Sequence, residues 1–423
     1  MNIKNLSISN IFSDKVLCTL FTIVMCIQFI WIEGYGISPV KVGLMALSPL
    51  ILLGKRIEIN KGMIGGLLLL ISCFLCAYFA GPVRTSTFGY FAMFVITFIV
   101  YYSLLRRGAF TLEYFQKLCG YLIIAFGLVL ICQQIATLIG ISNFPIINLS
   151  RQPFLAIDKL PSLAIEPSHS ARLLTVFMLG YLRCIQISNN DKPTLRLLFN
   201  SNHRAVTILF LWSMLTMGSG TAVVGLGLLA IFFINYRSAI YVIPCLLALI
   251  SLGSYLEITQ MERAAKVAAA STSLDNKKID EADGSASVRI SPLVNFLTKT
   301  DLSKTETWIG QGNQLDEDTN AWWRDKKDTL PMIKYYGLIS WIICIIFIYA
   351  CMIRRIFSIE TLVFIVLFGL TLMNSAYAWG AMFIFAAVRY FQEQEESGTL
   401  ELAEEELDED LENRLIAGKE SAD

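Results

Sequence analysis

Charged residues are scarce in this chain of 423 residues. Asp, Glu, Lys and Arg together make up 16% of it, against about a quarter of an ordinary soluble domain. Hydrophobic residues account for 55%. This composition excludes a water-soluble globular protein and predicts an all-α polytopic membrane protein. Asp and Glu are also nearly absent from the middle of the apolar runs, which argues against a proton- or sodium-coupled pump.

Metal, nucleotide and redox chemistry lack their usual residues. The chain has two histidines, His169 and His203, so a histidine-based metal site is not expected, and we predict no metal, no other cofactor and no nucleic-acid partner. It contains neither a Walker A loop nor a glycine-rich dinucleotide-binding motif. The ten cysteines lie in or beside apolar runs. Cys73 and Cys76 have redox spacing, but we expect them to pack within a helix.

Long apolar runs are abundant and predict about twelve membrane-spanning helices, because a span needs about 20 apolar residues. They lie near 16–35, 39–54, 62–80, 88–105, 118–140, 170–187, 204–218, 220–235, 238–257, 334–353, 359–374 and 377–392. Lys and Arg concentrate in alternate connections, so the positive-inside rule places both termini in the cytoplasm. The outer connections are poorer in positive charge and hold Lys41, Arg84, Arg151 and Lys159.

This topology divides the chain into five parts. They are a cytoplasmic N-terminus (1–15), nine spans (16–257), one large outer, periplasmic loop (258–333), three further spans (334–392) and an acidic cytoplasmic tail (393–423). The tail carries 13 acidic residues against two basic ones and predicts an amphipathic helix. Its charge is wrong for a membrane-surface anchor, so it is either a solvated extension or a partner-binding helix.

The outer loop is long enough to have a function of its own. Its polar stretch 275–284 predicts a mobile loop, Pro292 is expected to begin a second element, and Trp308 to Gly312 predicts a tight turn. Trp322 and Trp323, with Asn320 nearby, would suit a sugar ring, which stacks on aromatic faces. Aromatic residues of a membrane-interface belt are the alternative interpretation.

Between the fifth and sixth predicted spans, Glu166, His169 and Arg172 crowd into seven positions. Pro167 predicts a helix start, with Ser168 or Ser170 as the capping residue. In one interpretation Glu166 and Arg172 form a salt bridge that closes the helix end. In the other, Glu166 or His169 is a general base and Arg172 binds an anionic group of a substrate.

Arg151 lies on the same predicted outer face as Arg172. Two guanidinium groups there would suit phosphate, because the planar guanidinium donates two parallel hydrogen bonds. Ordinary binding of lipid head groups is the alternative.

The layout resembles the O-antigen polymerase (Wzy-type) branch of the O-antigen ligase/polymerase superfamily. The shared features are an outer Glu-Pro-Ser motif that opens a mid-chain span and Gly218-Ser-Gly-Thr221 between two close spans. A large outer loop follows, with Ser285-Ala-Ser-Val-Arg289 and Gly310-Gln-Gly312, and closes at Tyr336-Gly337.

The resemblance implies a GT-C-like glycosyltransferase architecture in a bacterial inner membrane. It implies an undecaprenyl-diphosphate-linked oligosaccharide as substrate, membrane lipids as surroundings and a chain-length regulator as a partner. Arg151, Arg172 and Arg289 would bind the diphosphate, and Glu166 would lie near the acceptor. The loop lacks the histidine of the ligase family's His-Asn pair, and we assign only the asparagine of that pair, to Asn320.

We therefore expect a polymerase that joins lipid-linked repeat units at the periplasmic face. One alternative is an O-antigen ligase, which passes the same donor to a lipid A core. The other is a lipid-linked oligosaccharide flippase, which would line a central cavity with charges and would lack the long outer loop.

Overall fold

The computed structural model describes residues 13–28, 38–54, 59–81, 84–140, 159–234, 266, 269–270, 273–282, 284–312, 330–369 and 375–420. Within these ranges the regular structure is helical and no strand occurs. Five of the described helices are long and apolar enough to cross a membrane. The prediction of an all-helical membrane protein is confirmed at this level, while the number of twelve spans stays a prediction.

The first nine helices run from the N-terminal region to the middle of the chain. They are α1 (Asp14–Cys26), α2 (Pro39–Gly54), α3 (Lys61–Ala80), α4 (Thr85–Arg106), α5 (Leu112–Leu138), α6 (Pro167–Asn189), α7 (Leu195–Leu198), α8 (Ser201–Thr216) and α9 (Gly220–Phe233). Six more follow: α10 (Asn276–Ala282), α11 (Gly284–Lys299), α12 (Thr305–Ile309), α13 (Pro331–Cys351), α14 (Ile359–Phe368) and α15 (Ala376–Glu420). Each predicted span overlaps one of these helices, except the ninth, 238–257, which lies outside the described residues. The first predicted span, 16–35, is described as a helix only to Cys26.

The first half of α15 forms the centre of the bundle. Its residues from Ala378 to Val388 are buried, and it packs against α1, α4 and α6. Aromatic rings fill these contacts: Trp379 stacks on Phe94 at 6.0 Å, and Phe383 stacks on Tyr101 at 4.3 Å between ring centres. Offset stacking of this kind adds to the free energy gained by burying the rings.

The two ends of the helix bundle differ in their ionic residues. At one end, Arg106 lies 2.7 Å from Glu393 of α15, and Arg183 lies 2.6 Å from Glu360. The opposite end contains the start of α6 and the start of α15; we call it the site end. The first turns of α13 lie there too, because Tyr336 stacks with Phe91, which contacts Trp379.

Two predictions for the outer loop are wrong. Most of the polar stretch 275–284 is helical, because Ile279 of α10 is buried in a contact with α11 and Asn276 donates a hydrogen bond to Asn295. Pro292 does not begin an element; it lies inside α11, which has already started at Gly284. One buried isoleucine and one amide pair thus outweigh a polar composition, as tertiary contacts commonly outweigh local propensity.

Candidate functional site

The start of α6 carries the predicted acid and imidazole. Pro167 is its first residue and Glu166 is the N-cap, without a capping hydrogen bond from the side chain. Capping by Ser168 or Ser170 was therefore a wrong prediction. Both hydroxyls lie inside the first turn, where Ser168 donates to the Glu166 carboxylate at 3.3 Å and Ser170 donates to a carbonyl that precedes the helix.

Glu166 and His169 face each other across this first turn. The Nε2 atom of His169 lies 3.8 Å from Oε2 of Glu166, as expected for residues three apart on a helix. The Glu166 side chain is 59% exposed and that of His169 is 21% exposed. A ligand at the site end can therefore reach the carboxylate directly, with the imidazole behind it.

Arg172 lies one turn deeper and is 5% exposed. One terminal nitrogen donates a hydrogen bond to the hydroxyl of Tyr377 at 2.7 Å, and Nε is buried with no hydrogen-bond partner among the described residues. The predicted salt bridge with Glu166 is not formed, and no carboxylate in the described ranges lies within ion-pair distance of Arg172. The guanidinium is thus buried with a neutral partner, an arrangement that costs free energy unless an anion binds.

Tyr377, the second residue of α15, ties these groups together. Its ring stacks on His169 with 4.1 Å between ring centres, and the Arg172 guanidinium carbon lies 5.8 Å from the ring centre. Sequence reasoning missed this residue, because a tyrosine at the end of an apolar run is the ordinary mark of a membrane interface. It comes from a point 205 residues further along the chain than Arg172, so no local pattern could reveal the contact.

Lys41, near the start of α2, is a second buried cation. It is 4% exposed, and its Nζ donates to the Gln28 side chain at 3.1 Å and to the Met25 carbonyl at 3.4 Å. The backbone N–H of Gln28 donates to the carbonyl of Leu163, three residues before Glu166. The sequence identified Lys41 only as one of the few basic residues on the outer connections, and gave no sign of its burial.

Gln133 of α5 stabilises the turn that precedes α6. Its side chain accepts a hydrogen bond from the N–H of Ser162 at 2.8 Å and donates to the carbonyl of the same residue at 3.1 Å. Ser162 has a φ of 54°, a conformation that non-glycine residues adopt only when their surroundings enforce it. Its hydroxyl donates to the Phe126 carbonyl at 2.6 Å. These contacts fix the turn that carries Glu166.

Replacing Gln133 by leucine is expected to loosen this turn. The variant would leave the buried N–H and carbonyl of Ser162 without partners, at a cost of about 1–3 kcal/mol for each. We expect a lower unfolding temperature in detergent and faster cleavage between 141 and 166 by an added protease. Gln134→Leu is the matched control, because Gln134 is only partly buried and bonds to side chains of α8. Equal stability of Q133L and the unaltered protein would contradict the bracing role.

The end of the predicted outer loop, which we call the outer segment, is anchored on α13. Gly310 and Gly337 have φ values of 82° and 76°, and the peptide N–H of Gln311 donates to the Lys334 carbonyl at 2.7 Å. A Cβ atom added to Gly337 would lie 2.1 Å from the Trp308 carbonyl oxygen. The predicted tight turn at 308–312 is correct only at its glycines: Trp308 and Ile309 end α12, and the chain bends at 310–312. This bend packs into a break in α13 at the site end.

A polar cavity of about 270 Å³ lies beside this anchor, lined in part by Lys299, Asp301, Lys304 and Glu306. Hydrogen bonds from the hydroxyl and the backbone N–H of Ser303 hold the pKa of the Asp301 carboxyl below its ordinary value. All four lining side chains are exposed, so water already solvates their charges. Lys334, a further cation of the lining, is only partly buried. The cavity therefore lacks a fully buried cation like Arg172.

The structure does not describe the side chains of the other predicted site residues. Arg151, Asn320, Trp322 and Trp323 lie outside the described residues. Arg289 belongs to α11, but its side chain lies outside the described part of the protein. Of the predicted set, the structure brings together Glu166, His169 and Arg172, and it adds Tyr377.

Among the described residues no group of three His, Cys, Asp or Glu side chains could hold a metal ion. Cys73 and Cys76 are both buried on α3, as the packing interpretation predicted. Comparisons with protein-family models, with curated proteins and with solved structures gave no match.

Proposed function

We propose that this chain is an O-antigen-type polymerase, which joins lipid-diphosphate-linked oligosaccharide units at the outer face of a bacterial inner membrane. Arg172 is the observation that carries the proposal. The guanidinium is 5% exposed and donates a hydrogen bond to a neutral phenol, so a bound anion would stabilise it. A lipid diphosphate brings that charge to the end of a membrane helix, where its lipid tail can stay in the bilayer.

The proposed reaction is a displacement at an anomeric carbon. A sugar hydroxyl of the incoming unit attacks the anomeric carbon of the growing chain, and a new glycosidic C–O bond forms. The C–O bond to the diphosphate breaks, undecaprenyl diphosphate leaves with the bonding electrons, and the hydroxyl proton passes to a base. The products are a lipid-linked glycan longer by one unit and the free lipid diphosphate.

The residues of the site end divide these tasks. The exposed carboxylate of Glu166 is the base, with the adjacent His169 as the second choice. Arg172 stabilises the charge that develops on the leaving diphosphate, a role in which a fixed cation needs no reorganisation during the reaction. Arg151 and Arg289 stay predicted diphosphate ligands, and Asn320, Trp322 and Trp323 stay predicted sugar ligands.

Replacing Glu166 by glutamine is expected to slow polymerisation by about 10²–10⁴-fold, the usual contribution of a general base. Glutamine keeps the shape and the helix start but cannot accept the proton. The measurement is the rate of chain extension by purified protein with a lipid-linked repeat unit. His169→Gln is measured in parallel, and the variant with the larger loss of extension rate identifies the base. If both variants extend chains at the unaltered rate, neither residue is the base.

The lipopolysaccharide ladder of cells with and without the gene tests the function itself. A deletion strain that caps lipid A with a single repeat, and regains the ladder on complementation, supports the polymerase. Complete absence of the repeat from lipid A indicates a ligase instead. Accumulation of lipid-linked units on the inner leaflet indicates a flippase, and an unchanged ladder excludes all three functions.

A further inference from the structure

The second buried cation, Lys41, also lacks a charged partner. Its two hydrogen-bond acceptors, the Gln28 amide and the Met25 carbonyl, are neutral, and the described residues place no carboxylate within ion-pair distance of it. An ammonium group has three donors. Two are used by these contacts, and one is left for a ligand. Burial at 4% exposure, with no counter-charge among the described residues, costs free energy for this group as it does for Arg172.

Two series of contacts connect Lys41 with the Glu166 cluster. The first passes from Gln28, which bonds to Lys41, through the carbonyl of Leu163 to the turn that carries Glu166. The second passes through Met25, whose carbonyl carbon would lie 3.2 Å from a Cβ atom added to Gly380 of α15. Gly380 is one helical turn from Tyr377, the partner of Arg172. Lys41 and Arg172 are therefore both connected to the first turns of α15, Lys41 through Met25 and Arg172 through Tyr377.

We infer that Lys41 is a further phosphate ligand of this site, so that Lys41 and Arg172 bind different phosphates of one prenyl diphosphate. The inference rests on the proposed function and extends it to the specificity of the site. Two separate buried cations match two linked phosphates, whereas a monophosphate needs only one of them. The compact ammonium acts as a point charge and the planar guanidinium as a two-donor fork, so the two groups are not interchangeable.

Binding of farnesyl diphosphate and farnesyl monophosphate to the full-length protein in phosphatidylcholine nanodiscs tests this assignment. For Lys41→Met we expect affinity for the diphosphate to fall about 10- to 100-fold, the effect of one charge-assisted hydrogen bond. Affinity for the monophosphate should change little, because Arg172 still binds it. Lys159→Met, which alters an exposed lysine of the outer connections, is the matched control and should bind as the unaltered protein does.

The outcomes separate this inference from the proposed function. If K41M binds the diphosphate normally while Arg172→Ala does not, Lys41 is no ligand and the proposed function stands. If the unaltered protein shows no affinity for farnesyl diphosphate, the proposed function itself fails. Should K41M not fold, Lys41→Gln takes its place with the same two outcomes. Equal, Lys41-dependent affinity for farnesyl diphosphate and for phosphatidylglycerol in the nanodisc overturns the inference in favour of an ordinary membrane head group.

Discussion

Polymer formation is expected to fall by at least about 100-fold when Arg172 is replaced by methionine, the usual effect of removing one preorganised donor from a charged transition state. Methionine fills most of the same volume, so the helix contacts around it should persist. Replacing a buried ion by an apolar side chain is often neutral or stabilising. The variant should therefore fold at least as well as the unaltered protein while making only short products. The measurement is product length by mass spectrometry together with the unfolding temperature.

Two companion variants test whether the effect requires a guanidinium and whether it requires this position. Arg172→Lys keeps the positive charge but loses the two-donor fork, and should retain intermediate activity. Arg84→Met removes an exposed guanidinium from the predicted outer connections and should extend chains normally. Full-length polymer from Arg172→Met at normal protein levels would exclude Arg172 as a diphosphate ligand and would remove the observation on which the proposed function rests.

The buried cations at the two ends of the bundle have different kinds of partner. There, Arg183 is held by both carboxylate oxygens of Glu360, at 2.6 and 3.1 Å, and the pair is internally neutral. Such a pair holds helices together and has little charge left for a ligand. At the site end, Arg172 and Lys41 have only neutral partners among the described residues. Among the described residues no negative charge offsets the free-energy cost of burying them, and a bound anion would do so.

Local sequence was sufficient for part of this site. Pro167 predicts where α6 begins, and a helix then places Glu166 beside His169 and carries Arg172 one turn further in. Hydrophobic runs likewise predict where the helices lie, because the bilayer demands a minimum apolar length. These inferences need only the period of a helix and the preferences of its ends.

The rest of the site depends on how distant helices pack. Tyr377 meets Arg172 because α15 crosses α6, and Lys41 is buried because α2 packs beside the end of α1. Neither contact leaves a periodic signal in the sequence. The prediction that Ser168 or Ser170 caps α6 was wrong for a different reason. A residue can cap a helix only from the position before its first turn, and Glu166 occupies that position.

Replacing Gly337 by alanine is expected to disrupt the anchor between the outer segment and α13, with a loss of stability of about 3 kcal/mol or more. Gly337 has φ 76° and ψ 170°, a region that is essentially restricted to glycine. Its added methyl group would also lie 2.1 Å from the Trp308 carbonyl oxygen, where backbone has to move. Because Tyr336 packs on Phe91 at the site end, movement there should reach the bundle as well.

Thermal unfolding in detergent and limited proteolysis between 299 and 330 measure this effect. The matched control is Gly227→Ala in α9, where nothing lies within 4 Å of the added methyl group and alanine favours the helix. Gly227→Ala should unfold at or slightly above the original temperature, whereas Gly337→Ala should unfold earlier and be cleaved faster. If the two variants behaved alike, the outer segment would not be fixed to α13. It could then move relative to the cluster at Glu166, and its predicted sugar ligands would have no fixed position over the reacting carbon.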